Sequence, residues 1–153
     1  MSTRDKIRMT EPEVDAFLEE QRTMAIATIG ADGRPHVVAM WYAFVDGALC
    51  FWTFAKSQKV VNLRRDNRIT CLVEDGDVYA NLRGVELIAR AHISDDEDEV
   101  LKFGLAESVR YQNVAVNEAM IAAVKKMANK RVVVRIEIER VVSWDHRKLS
   151  GRD

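Results

Sequence analysis

Apolar positions change their period several times along the chain, and each change marks an element. Val14, Phe17 and Leu18 recur at helical spacing behind Thr10-Glu11-Pro12-Glu13. There Thr10 is placed to cap, Glu13 to complete a capping box and Pro12 to sit in the first turn. Met24 to Ile29 is a short apolar run ending on Gly30-Ala31-Asp32-Gly33-Arg34-Pro35, a strand followed by a turn. His36 to Val45 and Ala48 to Phe54 flank Asp46-Gly47. This predicts a hairpin, because both turn residues accept positive φ. Val60 and Leu63 set a short helix within Lys59 to Asp66. Two alternating runs follow, with Ile69, Cys71 and Val73 on one face of the first and Val85, Leu87, Ala89 and Ala91 on one face of the second. Asp95 to Glu99 is acidic and suits the first turn of a helix, where it complements the helix dipole. Val116, Met120, Val124 and Met127 give a second helical stripe. Val132, Val134, Ile136 and Ile138 then alternate with Val133, Arg135, Glu137 and Glu139 in a last strand that runs on towards Trp144.

These elements make a mainly β (α+β) chain of about six strands, mostly antiparallel, with flanking helices. A small closed barrel is the expected arrangement, since closure removes exposed sheet edges. The helical segment from Asp95 to Met127 is an insertion before the last strand, and a lid, a dimer brace or a plain cover all fit it. Both arms of the hairpin are apolar on both faces: Val37, Ala39, Trp41, Ala43 and Val45 on one side, Val38, Met40, Tyr42 and Phe44 on the other. Antiparallel strands normally wet one face. A helix, a planar ligand or a second subunit must cover the other.

Composition narrows the class. The 153 residues are 48% apolar and 31% charged, which fits one globular domain spanning 1–153. Lys and Arg number 23 against 24 Asp and Glu, so the basic excess of a nucleic-acid binder is absent. The longest apolar run, Val37 to Val45, is far below the ~20 residues a membrane helix needs. The first residues, MSTRDKIRMTEPE, are charged and lack the apolar stretch of a signal peptide. Cys50 and Cys71 both lie in strand-like apolar runs. Two buried free thiols in a reducing cytoplasm are the expectation.

Candidate chemistry is sparse. His36, His92 and His146 are far apart and have no Cys or His neighbour at metal-ligand spacing, so no metal site is expected. No nucleophile elbow, phosphate-binding P-loop or dinucleotide fingerprint occurs. One segment stands apart. Thr53-Phe54-Ala55-Lys56-Ser57-Gln58-Lys59 leaves the hairpin and enters a helix. Hydroxyls, an amide, two lysines and free N–H groups thus meet at a helix N-terminus, which suits a phosphate. The plainer reading is that Ser57 caps the helix and the lysines are solvated.

Gly33-Arg34-Pro35-His36-Val37-Val38, the hairpin from Trp41 to Phe54, and Ser57-Gln58-Lys59-Val60-Val61-Asn62-Leu63-Arg64-Arg65-Asp66 together resemble the pyridoxamine-5′-phosphate-oxidase-like split β-barrel superfamily, and in particular its flavin/deazaflavin oxidoreductase branch. The resemblance spans about Glu11 to Asp145. It implies a six-stranded split barrel and a homodimer with cofactor sites at the interface, holding the deazaflavin coenzyme F420 or, as the alternative, FMN. Carried over, Lys59 would pair with the cofactor phosphate, with Ser57 and Gln58 beside it and Thr53 on the phosphate or ribityl side. Val38, Ala39 and Met40 would run under the ring system, and Trp41 or Tyr79 would wall the pocket. The arginine-led FMN-phosphate motif and arginine-rich C-terminal substrate site of the true pyridoxamine-phosphate oxidases have no counterpart here, where the chain reads Ser143-Trp144-Asp145-His146-Arg147-Lys148-Leu149. The resemblance therefore points to the deazaflavin-using members, some of which reduce bilins or other conjugated compounds. A non-catalytic flavin or tetrapyrrole carrier is the rival within the family. An oligonucleotide-binding barrel is the rival outside it.

Overall fold

The computed structural model describes residues 1–150. Two short helices open the chain, α1 (Thr3–Ile7) and α2 (Glu11–Glu20). Each begins with a complete capping box, from Ser2 and Asp5 in α1 and from Thr10 and Glu13 in α2. No apolar periodicity marks α1, which buries nothing. Then come β1 (Met24–Ile29), β2 (Pro35–Met40), β3 (Ala43–Val45), β4 (Ala48–Phe54), α3 (Gln58–Arg65), β5 (Arg68–Asp75), β6 (Arg83–Ser94), α4 (Glu97–Gln112), α5 (Glu118–Ala128) and β7 (Arg131–Asp145). Single turns of 3-10 helix occupy Tyr79–Asn81 and His146–Leu149.

All seven strands form one antiparallel sheet, in the order β2-β1-β5-β6-β7-β4-β3. The expected count was six. The arm from His36 to Val45 is two strands, not one, because the chain breaks at Trp41-Tyr42. That break has a large consequence. β2 and β3 are the two ends of the sheet, yet only two residues join them. Three Cα–Cα steps, from Met40 to Ala43, span at most ~11 Å, so the sheet must curl until its ends approach. The apolar run is continuous across the corner, which is why its period did not reveal the break. The Asp46-Gly47 hairpin forms as read, both residues having positive φ, 50° and 78°.

The curled sheet encloses one core, built from Met24 and Ile26 of β1, Leu49 and Phe51 of β4, Cys71 and Val73 of β5, Val85 and Leu87 of β6 and Val134 of β7, with Phe17 and Leu18 of α2 packed against it. A second core lies outside the sheet. Ala43, Cys50, Trp52 and Val133 there meet Val100 and Phe103 of α4 and Met120 and Val124 of α5. The insertion is thus the cover for the second apolar face of β3 and β4. Val116 and Met127 of the expected α5 stripe stay about half exposed; the first precedes the helix and the second lies near its end. β2 has no such cover. Val37 is 63% exposed and Trp41 54%. Both cysteines are free and buried, and burial pushes the thiol of Cys50 up to about 11. Among the described residues no helix is long and apolar enough to cross a membrane, and no cluster of metal-ligating side chains occurs.

Candidate functional site

β4 alternates between the two cores, and Thr53 falls on the same inward face as Leu49 and Phe51. A hydroxyl is therefore carried to the end of a buried strand, where it is 5% exposed. The chain turns there, with the Ala55 N–H donating to the Lys130 carbonyl (2.9 Å) and the Ser57 N–H to the Phe54 carbonyl (3.0 Å). α3 begins at once. Its first intrahelical bond runs from the Val61 N–H to the Ser57 carbonyl, so the N–H groups of Gln58, Lys59 and Val60 precede it.

Ser57 stands at the N-cap position, but its side chain makes no capping bond. Its hydroxyl lies 3.4 Å from Thr53 Oγ1 instead. Lys59 Nζ donates to the same Thr53 oxygen at 3.1 Å. The plainer reading of this segment, a serine cap beside solvated lysines, therefore holds only for Lys56, which is exposed. Lys59 is half-buried, and burial lowers its pKa below the ordinary lysine value, with no carboxylate nearby to oppose that shift. Thr53, Ser57 and Lys59 thus converge at a helix N-terminus as two hydroxyls and one uncompensated cation. That donor set suits a phosphate or phosphodiester, which brings negative charge and acceptor oxygens only.

Gln58 does a different job. Its Nε2 donates to Asn62 Oδ1 (2.8 Å), and fully buried Asn62 donates in turn to Thr28 Oγ1 of β1 (3.0 Å). Arg65 reaches the Ile29 carbonyl and Asn62. These bonds pin α3 to the end of β1 and so fix where its N-terminus points. In the sequence Asn62 and Arg65 stand only within the stretch that carries the resemblance, with no role assigned, and Thr28 carries no signal at all; a helical Asn has no periodic mark.

The remaining candidates are spread along β2 and beyond. Val38 and Met40 are half-buried and lean on the inner core, while Ala39 faces outward beside Val37. Ala39 lines a groove with Arg22, Ala25, Leu72 and Glu74. Trp41 stacks on Tyr111 of α4, with centroids 4.3 Å apart and planes 9° from parallel. Tyr79 is 74% exposed and packs edge-on against His146. It follows β5 at the end remote from α3, which precedes β5. Within one protomer, then, Thr53, Ser57 and Lys59 are brought together, Val38 to Met40 form a wall of their own, and Tyr79 stands apart from the lysine.

Comparison with known proteins agrees with this fold. A protein of Mycobacterium tuberculosis (strain CDC 1551 / Oshkosh) named F420H(2)-dependent biliverdin reductase is 31% identical over 129 residues, 83% of this chain and 82% of that protein. The crystal structure of a conserved hypothetical protein from Mycobacterium tuberculosis superimposes with a TM-score of 0.93 at 44% identity, over 100% of this chain and 95% of that one. A structure named F420 reductase matches with a TM-score of 0.59 at 25% identity, over 83% of this chain and 94% of that one. The pyridoxamine 5′-phosphate oxidase family model matches residues 10–145, and with nearly the whole described fold inside that match, the chain belongs to the pyridoxamine 5′-phosphate oxidase family.

Proposed function

We propose that this protein is an F420-dependent oxidoreductase, in which hydride passes between the bound deazaflavin and a conjugated small molecule. The observation that carries this reading is Lys59: a half-buried cation with no carboxylate partner, held beside two hydroxyls at the start of α3. Such a cation is costly to the empty protein and useful to a phosphate-bearing ligand. The relatives named for F420 chemistry, at 31% and 25% identity, support the choice of F420 over FMN.

The roles follow from position. Lys59, Thr53 and Ser57 would hold the cofactor's phosphate. Val38, Ala39 and Met40 would lie along its ring system. Bound F420 supplies the hydride chemistry; the protein binds, orients and excludes water. The exposed row of Val37 and Trp41, continuous with a groove formed by Ala25, Ala27, Leu72 and Trp144, supports a homodimer that covers this face. Trp41 and Tyr79 would then wall the pocket near the interface. Free, buried Cys50 and Cys71 support a reducing, cytoplasmic setting.

The experiment is a pair of titrations of the purified protein, with F420 and with FMN, followed by reduced F420 with a panel of bilins and other conjugated acceptors. F420 is expected to bind more tightly than FMN, and at least one acceptor to be reduced. Lys59→Ala should weaken F420 by about 1.5–3 kcal/mol, roughly 10- to 150-fold in Kd, as the loss of one charge-assisted hydrogen bond. Affinity weaker than millimolar for both cofactors would overturn the reading. Tight binding with no acceptor reduced would turn it into a carrier.

A further inference from the structure

His36 is a histidine that the proposed chemistry has not used, and its two ring nitrogens are in opposite situations. It lies on β2 directly across from Thr28 on β1, so the two side chains share a face. Thr28 is the residue that Asn62 of α3 grips. His36 therefore sits beside the helix whose N-terminus bears Ser57 and Lys59, and two residues before Val38 on the same side of the same strand. Along the path from α3 through Asn62 and Thr28 to β2, His36 is the step that precedes Val38.

Nδ1 of His36 is sealed from solvent and has no hydrogen-bond partner. Nε2 has no partner among the described residues either, but it is not sealed, and the side chain as a whole is half-buried. In a neutral ring one nitrogen carries the proton, and its surroundings decide which. A buried N–H without an acceptor is rarer and costlier than a buried lone pair without a donor. The proton consequently belongs on Nε2, the nitrogen that is not sealed from solvent.

We infer that His36 is a specificity-determining residue of the cofactor site, whose Nε2–H donates a hydrogen bond to an oxygen of the bound cofactor between its phosphate and its ring system. The inference rests on the F420 reading above, but half of it is measurable without any ligand.

The test begins with imidazole 15N NMR of the wild-type protein free of ligand, at a pH above 8, where an ordinary histidine is neutral. Nε2 should show the chemical shift of a protonated nitrogen and Nδ1 that of an unprotonated one. Saturating F420 should move the Nε2 resonance. A proton on Nδ1, or an Nε2 signal unmoved at saturation, overturns the inference. Three variants supply the second readout. His36→Gln places an amide N–H near the former Nε2, whereas His36→Asn places one near Nδ1. Gln should keep the F420 Kd within about 2-fold, while Asn and Phe should raise it about 5- to 10-fold, as expected for one neutral hydrogen bond. Equal Kd values for all three overturn it as well. Should the wild type bind neither F420 nor FMN, the cofactor reading fails and takes this inference with it; binding by the wild type with no split among the variants sinks the histidine alone.

Discussion

Lys59 and Arg110 are both cations drawn part-way into the fold, and the structure treats them in opposite ways. Arg110, near the end of α4, is held at both Nη atoms, although its buried Nε has no partner among the described residues. Its Nη1 donates to Glu19 Oε2 (2.8 Å), and its Nη2 to the carbonyls of Leu18 (2.9 Å) and Gln21 (2.7 Å). Its guanidinium lies over the rings of Tyr42, Phe44 and Tyr111. Those carbonyls lie at the C-terminal end of α2, where the Tyr42 hydroxyl also donates to Leu18 (2.7 Å) and Gln21 (3.1 Å). Beside it, the Tyr111 hydroxyl accepts from the Tyr42 N–H (3.0 Å) and lies 2.6 Å from the Arg22 carbonyl. The corner where the barrel closes is thus clamped to the insertion by a cation whose two Nη atoms both donate within the chain. Lys59 has one hydroxyl and a burial cost. A cation whose partners are all inside the chain is there for the fold. One with so few partners in the chain is what the proposed cofactor site calls for.

That difference predicts separable phenotypes. The largest effect on stability should come from Arg110→Met, which takes the charged donor from the α2 carbonyls, leaving them the Tyr42 hydroxyl, and unpairs Glu19. We expect a loss of about 2–4 kcal/mol of unfolding free energy in urea, with F420 affinity changed less than 2-fold in the protein that remains folded. An unaltered urea midpoint, or a loss of affinity without a loss of stability, would break the contrast. Tyr111→Phe keeps the stack on Trp41 and removes only the hydroxyl. It leaves the Tyr42 N–H unpaired and should cost about 1–2 kcal/mol by the same measurement. Additivity of the two changes would mean that the clamp is two independent bonds rather than one unit.

The two corners were unequally legible in the sequence. The anion corner could be read because its residues are consecutive, so that Thr53, Ser57 and Lys59 meet through one turn and one helix start. The Asp46-Gly47 hairpin and the Thr10 capping box were readable for the same reason, since local chemistry decides them. The clamp was not readable. Tyr42 and Tyr111 lie 69 positions apart, and on a helix an Arg-Tyr pair reads as ordinary surface. The break at Trp41-Tyr42 was hidden because burial on both sides removes the period-2 signal. The two-faced apolar hairpin did correctly demand a second cover. Only tertiary structure could divide the answer, with α4 and α5 over β4 and nothing from the same chain over Val37.

The smallest effect is the most diagnostic. Lys59→Met removes the charge and keeps the stem, so in the absence of ligand it should leave stability unchanged or raise it by less than about 1 kcal/mol, the side chain being too exposed for more. The pH dependence follows from the direction of the shift. Burial holds the pKa of Lys59 in the fold below the ordinary lysine value of 10.5. At neutral pH both folded and unfolded chains carry the proton, and the burial cost is present in full. As pH rises through the folded pKa the native state releases its proton first, so the wild type gains stability until the unfolded chain titrates too. The advantage of Lys59→Met should therefore shrink between neutral pH and about 10.5. A phosphate-bearing ligand should reverse the order, stabilising the wild type and not the variant, because an anion beside Lys59 favours its charged form. If Lys59→Met instead proves as destabilising as Arg110→Met, Lys59 is a second structural cation, and the contrast between the two corners disappears.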